Sequence, residues 1–409
     1  MVLPSLTSIR GLSSKRVFVR LDVNVPLETD GQTVRVVNDW RIRAALPTLR
    51  HLTSRGARVV VGAHLGRPGG KRKKEFSLAP IAQHLASLLD TPVTWAPDLL
   101  SKGGAAVAEA EPGTVLVLEN LRFYPGEEAN SAAFSKKLAA LADVYVNDAF
   151  AECHRAHASV VGITKFLPSY AGFLLQKEVD ALRSLRHAPK RPMVLVLGGA
   201  KVETKLPLLR ALLDTADQAL VGGLVYVAYL HARDVKIGDD VFDKDMLRAA
   251  DTLVRKRIVE RPTDVIVGNP DGSGAERLVL TRGAHRTVPA GFHVFDIGPE
   301  TILQFGEILE KAKTIIWNGA MGKFEQHPYE YGTYAIARMM GAAALRGAFT
   351  VAGGGETIQA LEDVGVRDKL SHVSTGGGAM LAFLAGAPMP GIEALFSACH
   401  AGASLKGER

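Results

Sequence analysis

The chain has 409 residues, which at roughly 100–200 residues per domain predicts two or three domains, with two as the starting expectation. Apolar residues make up 47% and charged residues 22%, so the bulk of the chain is not intrinsically disordered. No uninterrupted apolar run reaches the roughly 18 residues that a spanning helix needs, and the start lacks a basic segment followed by an apolar one. Two cysteines, Cys153 and Cys399, neither staple a fold of this size nor make a metal site. The expectation is a cytoplasmic protein with no membrane partner.

The formal charge of +7 is unevenly spread: residues 1–172 hold 21 Lys/Arg against 15 Asp/Glu, and the remainder 28 against 27. A cationic first half suggests an anionic partner there. Nucleic acid is not indicated, because zinc-finger spacing, RNP-type aromatics and a long basic helix are all absent. The run Lys71-Arg72-Lys73-Lys74 follows a Gly-Gly turn and reads as a solvated loop.

In chain order, strands are predicted at 16–23, 57–64, 114–119 and 143–148, each rich in Val and Leu and each followed by turn residues. Helical periods lie between them, at 78–90 and 132–141. Pro47 falls inside the helical pattern 41–54, which should kink or start in earnest there. The second half repeats the scheme, with strands at 193–197, 218–221, 264–267, 293–296, 314–317, 350–352 and 372–374, and helices at 243–257 and 299–312. Apolar strands alternating with helices predict an α/β protein of two Rossmann-like lobes, each a parallel sheet covered by helices on both faces. An amphipathic segment at 172–185, followed by Pro189 and Pro192, predicts a joining helix with a hinge. The expected domains are 1–172 with a C-terminal return of about 388–409, a connector at 173–188, and 189–387.

Ligands of open parallel sheets bind beyond the carboxyl ends of the strands. In the first half these exits read Asp22-Val23-Asn24, His64-Leu65-Gly66-Arg67, Glu119-Asn120-Leu121-Arg122, and Asn147-Asp148 continuing to His154-Arg155-Ala156-His157. Arg41 opens the first helix. Each of Arg41, Arg67, Arg122 and Arg155 alone reads as a surface ion-pair partner. Delivered together at strand and helix ends they suit a phosphate, whose oxygens match the guanidinium fork. Asp22 and Asn24 share one face of an extended strand, where they could bind a hydroxyl, or else they are turn residues.

In the second half the exits are glycine-rich: Gly198-Gly199-Ala200-Lys201 with Lys205 four residues on, Gly222-Gly223, Asn318-Gly319-Ala320-Met321-Gly322, Gly353-Gly354-Gly355-Glu356-Thr357, and Ser374-Thr375-Gly376-Gly377-Gly378. Such exits let backbone N–H groups and helix N-termini approach phosphates. Neither a Walker A sequence nor G-x-G-x-x-G is present. One lobe for a small polyanion and one for a nucleotide point to phosphoryl transfer, which relies on positioning and charge neutralisation.

The segments RVFVRLDVNVPL (16–27), AHLGRP (63–68), LENLRFYPGEE (118–128), VNDAFAECHRAHAS (146–159), LGGAKVETK (197–205), WNGAMGKFE (317–325), GGGET (353–357) and STGGGAMLAFLAG (374–386) resemble, in order and spacing, the phosphoglycerate kinase family. That resemblance implies reversible transfer between ATP and 3-phosphoglycerate, giving ADP and 1,3-bisphosphoglycerate, in line and with lobe closure. It implies that Asp22 and Asn24 bind the hydroxyl and carboxylate side of the phosphoglycerate. His64, Gly66, Arg67, Arg122 and Arg155 would hold its phosphate, and Arg41 its reacting carboxylate. It implies Lys201 and Lys205 at the nucleotide phosphates and Gly222 and Gly223 at the adenine. Asn318 would meet the phosphate chain and Glu325 the ribose. Gly353, Gly354, Gly355, Glu356 and Thr357 would hold the terminal phosphates and the Mg²⁺ of MgATP. Arg41, Lys201 and the backbone at Gly376 and Gly377 would neutralise the transferring group. Ala320 stands where many members have proline, and Glu356 where many carry aspartate, so Glu356 would reach the metal directly or through water. A monomer is favoured, with a homodimer open. Two other classes share the architecture. A dinucleotide-dependent dehydrogenase wants the absent glycine fingerprint, and a solute-binding protein normally wants an export signal.

Overall fold

The computed structural model describes residues 3–31, 33–199, 211–232, 235, 237, 242, 244–280 and 287–404. It divides into two compact units, Met1–Asp180 with Pro388–Arg409, and Ala181–Ala387. The division falls inside the helix Phe173–His187.

Unit 1 contains strands β1 (Arg16–Leu21), β2 (Leu27–Asp30), β3 (Thr33–Val36), β4 (Arg58–Gly62), β5 (Val93–Trp95), β6 (Val115–Val117), β7 (Val144–Asp148) and β8 (Ser169–Ala171). Six of them form one sheet in the order β5-β6-β4-β1-β7-β8. Every pairing in it is parallel. Strand β1 lies in the middle, and Val17, Phe18, Val19 and Leu21 are fully buried, as near-continuous apolar strands of a two-faced sheet should be. The helices Trp40–Thr53 and Ala79–Leu88 bury Ile42, Leu49, Leu52, Ile81 and Leu85 in the same core as Val17, Val19, Val59 and Val61. Pro47 sits within an unbroken Trp40–Thr53; it lacks an N–H for the carbonyl one turn back, and the helix tolerates that one missing bond.

The short strands β2 and β3 pair antiparallel as a hairpin outside the sheet. They carry polar, exposed residues, so no apolar run announces them. Strands β5 and β8 have three residues each and are equally silent. The helix Pro390–Ser404 returns to unit 1, where Gly391 N–H donates to the Cys153 carbonyl at 2.9 Å.

Unit 2 contains β9 (Met193–Leu197), β10 (Gln218–Val221), β11 (Val259–Glu260), β12 (Asp264–Gly268), β13 (Glu276–Val279), β14 (His293–Ile297), β15 (Thr314–Asn318), β16 (Phe349–Gly353) and β17 (His372–Ser374). Its main sheet, β11-β10-β9-β15-β16-β17, is again parallel throughout. The expectation that the runs at 264–267 and 293–296 continue one repeated parallel scheme is corrected here. They form a separate antiparallel sheet, β13-β12-β14. Strand β13 reads Glu-Arg-Leu-Val with mostly exposed side chains, so it gave no apolar signal. Trp317, Phe305, Ile315 and Leu309 centre the core of unit 2. Among the described residues no helix is long and apolar enough to cross a membrane.

Candidate active site

In unit 1 the four adjacent strands β6, β4, β1 and β7 run parallel, so the segments that follow them emerge at one edge of the sheet. Strand β1 stops at Leu21, and the chain then turns: Asn24 N–H donates to Asp22 Oδ1 at 3.1 Å. Asp22 and Asn24 therefore differ. Asp22 is buried, whereas Asn24 is exposed and its Oδ1 accepts from Gly66 N–H at 3.0 Å. Arg41, in the first turn of Trp40–Thr53, reaches back so that its Nη1 donates to Asp22 Oδ2 at 2.9 Å. Burial pushes the Asp22 carboxyl up from the usual range, and Arg41 works against that shift.

Arg122 ties the second and third exits together, donating from Nη1 to the Gly66 carbonyl at 3.0 Å. Its backbone is set by Asn120, whose Oδ1 accepts from Arg122 N–H at 3.0 Å and whose Nδ2 donates to the Leu65 carbonyl at 2.7 Å. On the fourth exit, Glu152 ends the turn Phe150–Glu152 and meets Arg122 and Arg155. Burial alone would raise its pKa. The charges of Arg20, Arg155 and Arg122, with His64 beside them, outweigh that and hold it at about 2.

His64 is buried, with its Nδ1 3.1 Å from Arg20 Nη2, and burial pushes it well below the ordinary histidine value, toward the neutral form. His157 is lowered to about 4, by burial first and then by the neighbouring arginines. Burial lifts the Cys153 thiol to about 12, which leaves it unreactive. Arg67 is exposed and has no hydrogen-bond or ion-pair partner among the described residues.

In unit 2 the five adjacent strands β10, β9, β15, β16 and β17 deliver the glycine-rich exits to one edge. These exits are cross-linked by backbone. Gly199 N–H donates to the Ala320 carbonyl at 2.7 Å, and Gly223 N–H to the Met321 carbonyl at 2.8 Å. Asn318 Nδ2 donates to the Gly353 carbonyl at 2.6 Å, and Gly319 N–H to Thr357 Oγ1 at 2.7 Å. Gly354, with φ of +102°, turns the chain from β16 into the helix Gly355–Asp363. The helix Gly377–Leu384 follows β17, with Gly376 as its N-cap. A Cβ at Gly377 would lie 2.6 Å from Gly354 N, so only glycine permits these two loops to approach this closely. Two helix N-termini thus open side by side behind neighbouring strands, an arrangement that attracts anions.

A cavity of about 230 Å³ adjoins these loops. Leu224, Tyr226, Val227 and Phe295 give it apolar walls, Gly222 and Gly223 form part of its lining, and Asp296, Glu325 and Glu356 supply carboxylates. Among the described residues no group of three or more His, Cys, Asp or Glu side chains could hold a metal ion. Lys201 and Lys205 lie outside the described residues.

A model of the phosphoglycerate kinase family matches residues 7–387. The chain belongs to the phosphoglycerate kinase family. A phosphoglycerate kinase of Synechococcus elongatus is 42% identical over 400 residues, covering 96% of this chain and 98% of the relative. A cytosolic phosphoglycerate kinase of wheat, Triticum aestivum, is 44% identical over 391 residues, covering 94% and 96%. Among solved structures, phosphoglycerate kinase from Pyrococcus horikoshii superposes with a TM-score of 0.84 at 33% identity, covering 98% of this chain and 100% of that one. The enzyme from Coxiella burnetii gives 0.79 at 38% identity, covering 97% and 99%.

The family resemblance read from the sequence motifs is therefore upheld, as is the two-sheet α/β architecture. In unit 1 the structure links Asp22 to Arg41, Asn24 to Gly66, Gly66 to Arg122, and Arg122 to Arg155 through Glu152. In unit 2 it links Asn318 to Gly353, and it sets Gly377 against Gly354. Glu325 and Glu356 line one cavity with Gly222 and Gly223. Two residues escaped the sequence reading, Glu152 and Arg20. Glu152 carried a signal: it is the one carboxylate between Asp148 and the His154-Arg155 pair. Arg20 was hidden inside an apolar strand, where its complete burial and the 3.1 Å between its Nη2 and His64 Nδ1 mark it as a support for His64; Arg20 Nε in turn donates to Ser159 Oγ at 2.9 Å.

Proposed function

We propose that the protein transfers a phosphoryl group reversibly between ATP and 3-phosphoglycerate, with unit 1 holding the phosphoglycerate and unit 2 the nucleotide. The observation that carries the activity is the family match over residues 7–387. The contrast between the two sheet edges supports the division of the substrates. In this reading Arg67, Arg122 and Arg155 receive the phosphate of 3-phosphoglycerate, with His64 and Gly66 beside them. Asp22 and Asn24 receive its hydroxyl side, and Arg41 the reacting carboxylate.

On unit 2, Gly222 and Gly223 border the adenine and Glu325 the ribose. Asn318, Gly353, Gly354, Gly355 and Thr357 surround the phosphates. Lys201 and Lys205 belong to the same proposal through the family motif.

The acceptor is a carboxylate with an ordinary pKa of about 4, so it is already ionised at neutral pH and needs no general base. What the protein must supply is neutralisation of two polyanions. Arg41 does this from unit 1, and Lys201 with the backbone N–H groups at Gly376 and Gly377 from unit 2. In-line transfer requires the donor and acceptor oxygens to meet with water excluded, so closure driven by both ligands belongs to the proposal.

The donor set fits Mg²⁺ that arrives with the nucleotide: one carboxylate, Glu356, stands in the first turn of Gly355–Asp363 beside the glycine loops. When bound, the ion would neutralise charge on the terminal phosphates. To the same proposal belong a cytoplasmic location and a monomer, with a homodimer open.

The deciding experiment is a coupled assay of ADP formation from MgATP with and without 3-phosphoglycerate. ADP release that depends on 3-phosphoglycerate is expected. Release that ignores it, or no release, overturns the assignment.

A further inference from the structure

The surroundings of Glu152 are those of a bound anion. Its side chain is only 6% exposed, on the arginine-lined edge of unit 1. Oε2 accepts from Arg122 Nη2 at 3.1 Å and from Arg155 Nη1 at 3.1 Å, and Oε1 lies 3.2 Å from the same Arg155 nitrogen. His64 Nε2 is 3.7 Å from Oε1, and His157 Nδ1 is 3.7 Å from Oε2. Glu128, half exposed, also stands 3.4 Å from Arg122 Nε. Glu127 is turned toward Ser159, whose N–H donates to it at 3.0 Å. Carboxylate and phosphate oxygens seek the same planar guanidinium donors. Two of the arginines offered to the substrate therefore already hold an anion, while Arg67 stands exposed without a partner among the described residues.

We propose that Glu152 is an internal competitor for the anionic group of the substrate, occupying Arg122 and Arg155 until that group takes them. The proposal rests on the reading that these two arginines receive the phosphate of 3-phosphoglycerate. Two physical consequences follow. A phosphate brought to Arg122 and Arg155 comes beside a second negative charge in a site that water and salt screen poorly, so Glu152 weakens binding. Without Glu152, the buried cations Arg20 and Arg122 and the half-buried Arg155 repel one another, so Glu152 holds the ligand-free site together. The residue thus exchanges affinity for stability of the empty site.

The test uses the full chain with Glu152→Gln, which keeps shape and hydrogen bonding but removes the charge. Steady-state kinetics should show the KM for 3-phosphoglycerate falling by about tenfold, the KM for ATP changing by less than about twofold, and kcat moving less than the first KM. Thermal unfolding with inorganic sulfate as the probe gives a readout without turnover. The variant should melt lower than the wild type in the absence of sulfate and gain more from it. A KM that rises or stays put, or a sulfate shift no larger than in the wild type, overturns the proposal. Tighter sulfate binding in the variant, together with a wild type inactive on 3-phosphoglycerate, would uphold the competition and overturn the functional reading instead. Should the glutamine variant not fold, Glu152→Asp draws the charge back by one methylene. It should lower the KM in the same direction by less, and a rise would overturn the proposal.

Discussion

At the C-terminal edge of the unit 1 sheet, the exits are tied by charged side chains: Arg41 on Asp22, Arg122 and Arg155 on Glu152, and His64 braced by Arg20. At the same edge of the unit 2 sheet the described exits are tied mainly by backbone groups and small side chains, with Gly199 bonded to Ala320, Gly319 to Thr357, and Gly377 pressed against Gly354. The two sheets share a parallel six-stranded plan. On the proposed reading, the two edges hold their anions by different physics. Guanidinium forks give direction and strength, but in the empty site they need counter-charges, and unit 1 supplies them as buried carboxylates. Backbone N–H groups at helix starts need no counter-charge, but they need glycine wherever the loops touch. The first solution is sensitive to pH and charge, the second to a single added methyl group.

The largest expected effect concerns a carboxyl that unit 1 buries at a strand end where unit 2 has Asn318. Asp148 closes β7, is fully buried, and accepts from Leu175 N–H at 3.0 Å. Burial raises its pKa from 3.8 to about 7, against the hydrogen bonds from Thr48, Leu175 and Leu174. A raised folded value means that its contribution to stability is fully present below pH 3.8 and is lost as pH rises through 7. Asp148→Asn should therefore gain on the wild type by about 4 kcal/mol between pH 4 and pH 7, with no further gain above pH 8. Denaturant melts of both proteins across that range check this, and a constant difference would refute the titration.

Next comes Arg41→Ala, the direct test of side-chain neutralisation. It should cost on the order of 3 kcal/mol of barrier, seen as a kcat lowered by about two orders of magnitude with little change in the KM for ATP. Near-normal turnover would remove Arg41 from the chemistry.

The corresponding test of unit 2 is Gly377→Ala. The new Cβ would meet the backbone N of Gly354 at 2.6 Å, so a loop must shift, at a cost of about 2 kcal/mol. The KM for ATP should rise while the KM for 3-phosphoglycerate holds. Equal changes in both would show that the two edges do not bind separate ligands.

The smallest effect on folding sharpens the same point. Gly355 has open space where its Cβ would go and lies in the first turn of a helix, so Gly355→Ala should gain about 0.5 kcal/mol of stability. If phosphates approach that backbone, the variant nevertheless binds ATP more weakly. Unchanged nucleotide affinity, read by titration calorimetry, would place the phosphates elsewhere.

Much of this was legible from the residues. The strands with three or more apolar residues in a row, β1, β4, β9 and β15 among them, announced themselves because strands buried on both faces cannot alternate. The hairpin β2–β3 and the strand β13 did not, because a solvated edge needs no apolar pattern. The arginines at strand ends could be read one by one. Glu152 could be seen but not interpreted, since a carboxylate beside His154 and Arg155 in sequence is indistinguishable from a surface charge.

By itself, the sequence determined the alternation of strand and helix, the glycine and arginine exits, and the family motifs, because these depend on local propensity and on residue type at each turn. Only the tertiary structure decided that the runs at 264–268 and 293–297 leave the main sheet for an antiparallel one, since pairing partners are chosen by distant segments of chain. It alone decided that Asp22 turns inward to Arg41, that Arg20 supports His64 from inside the sheet, and that Arg122 and Arg155 meet on one carboxylate. Those are interactions between residues up to 44 positions apart in the chain, and they exist because parallel strands bring their carboxyl ends to one edge.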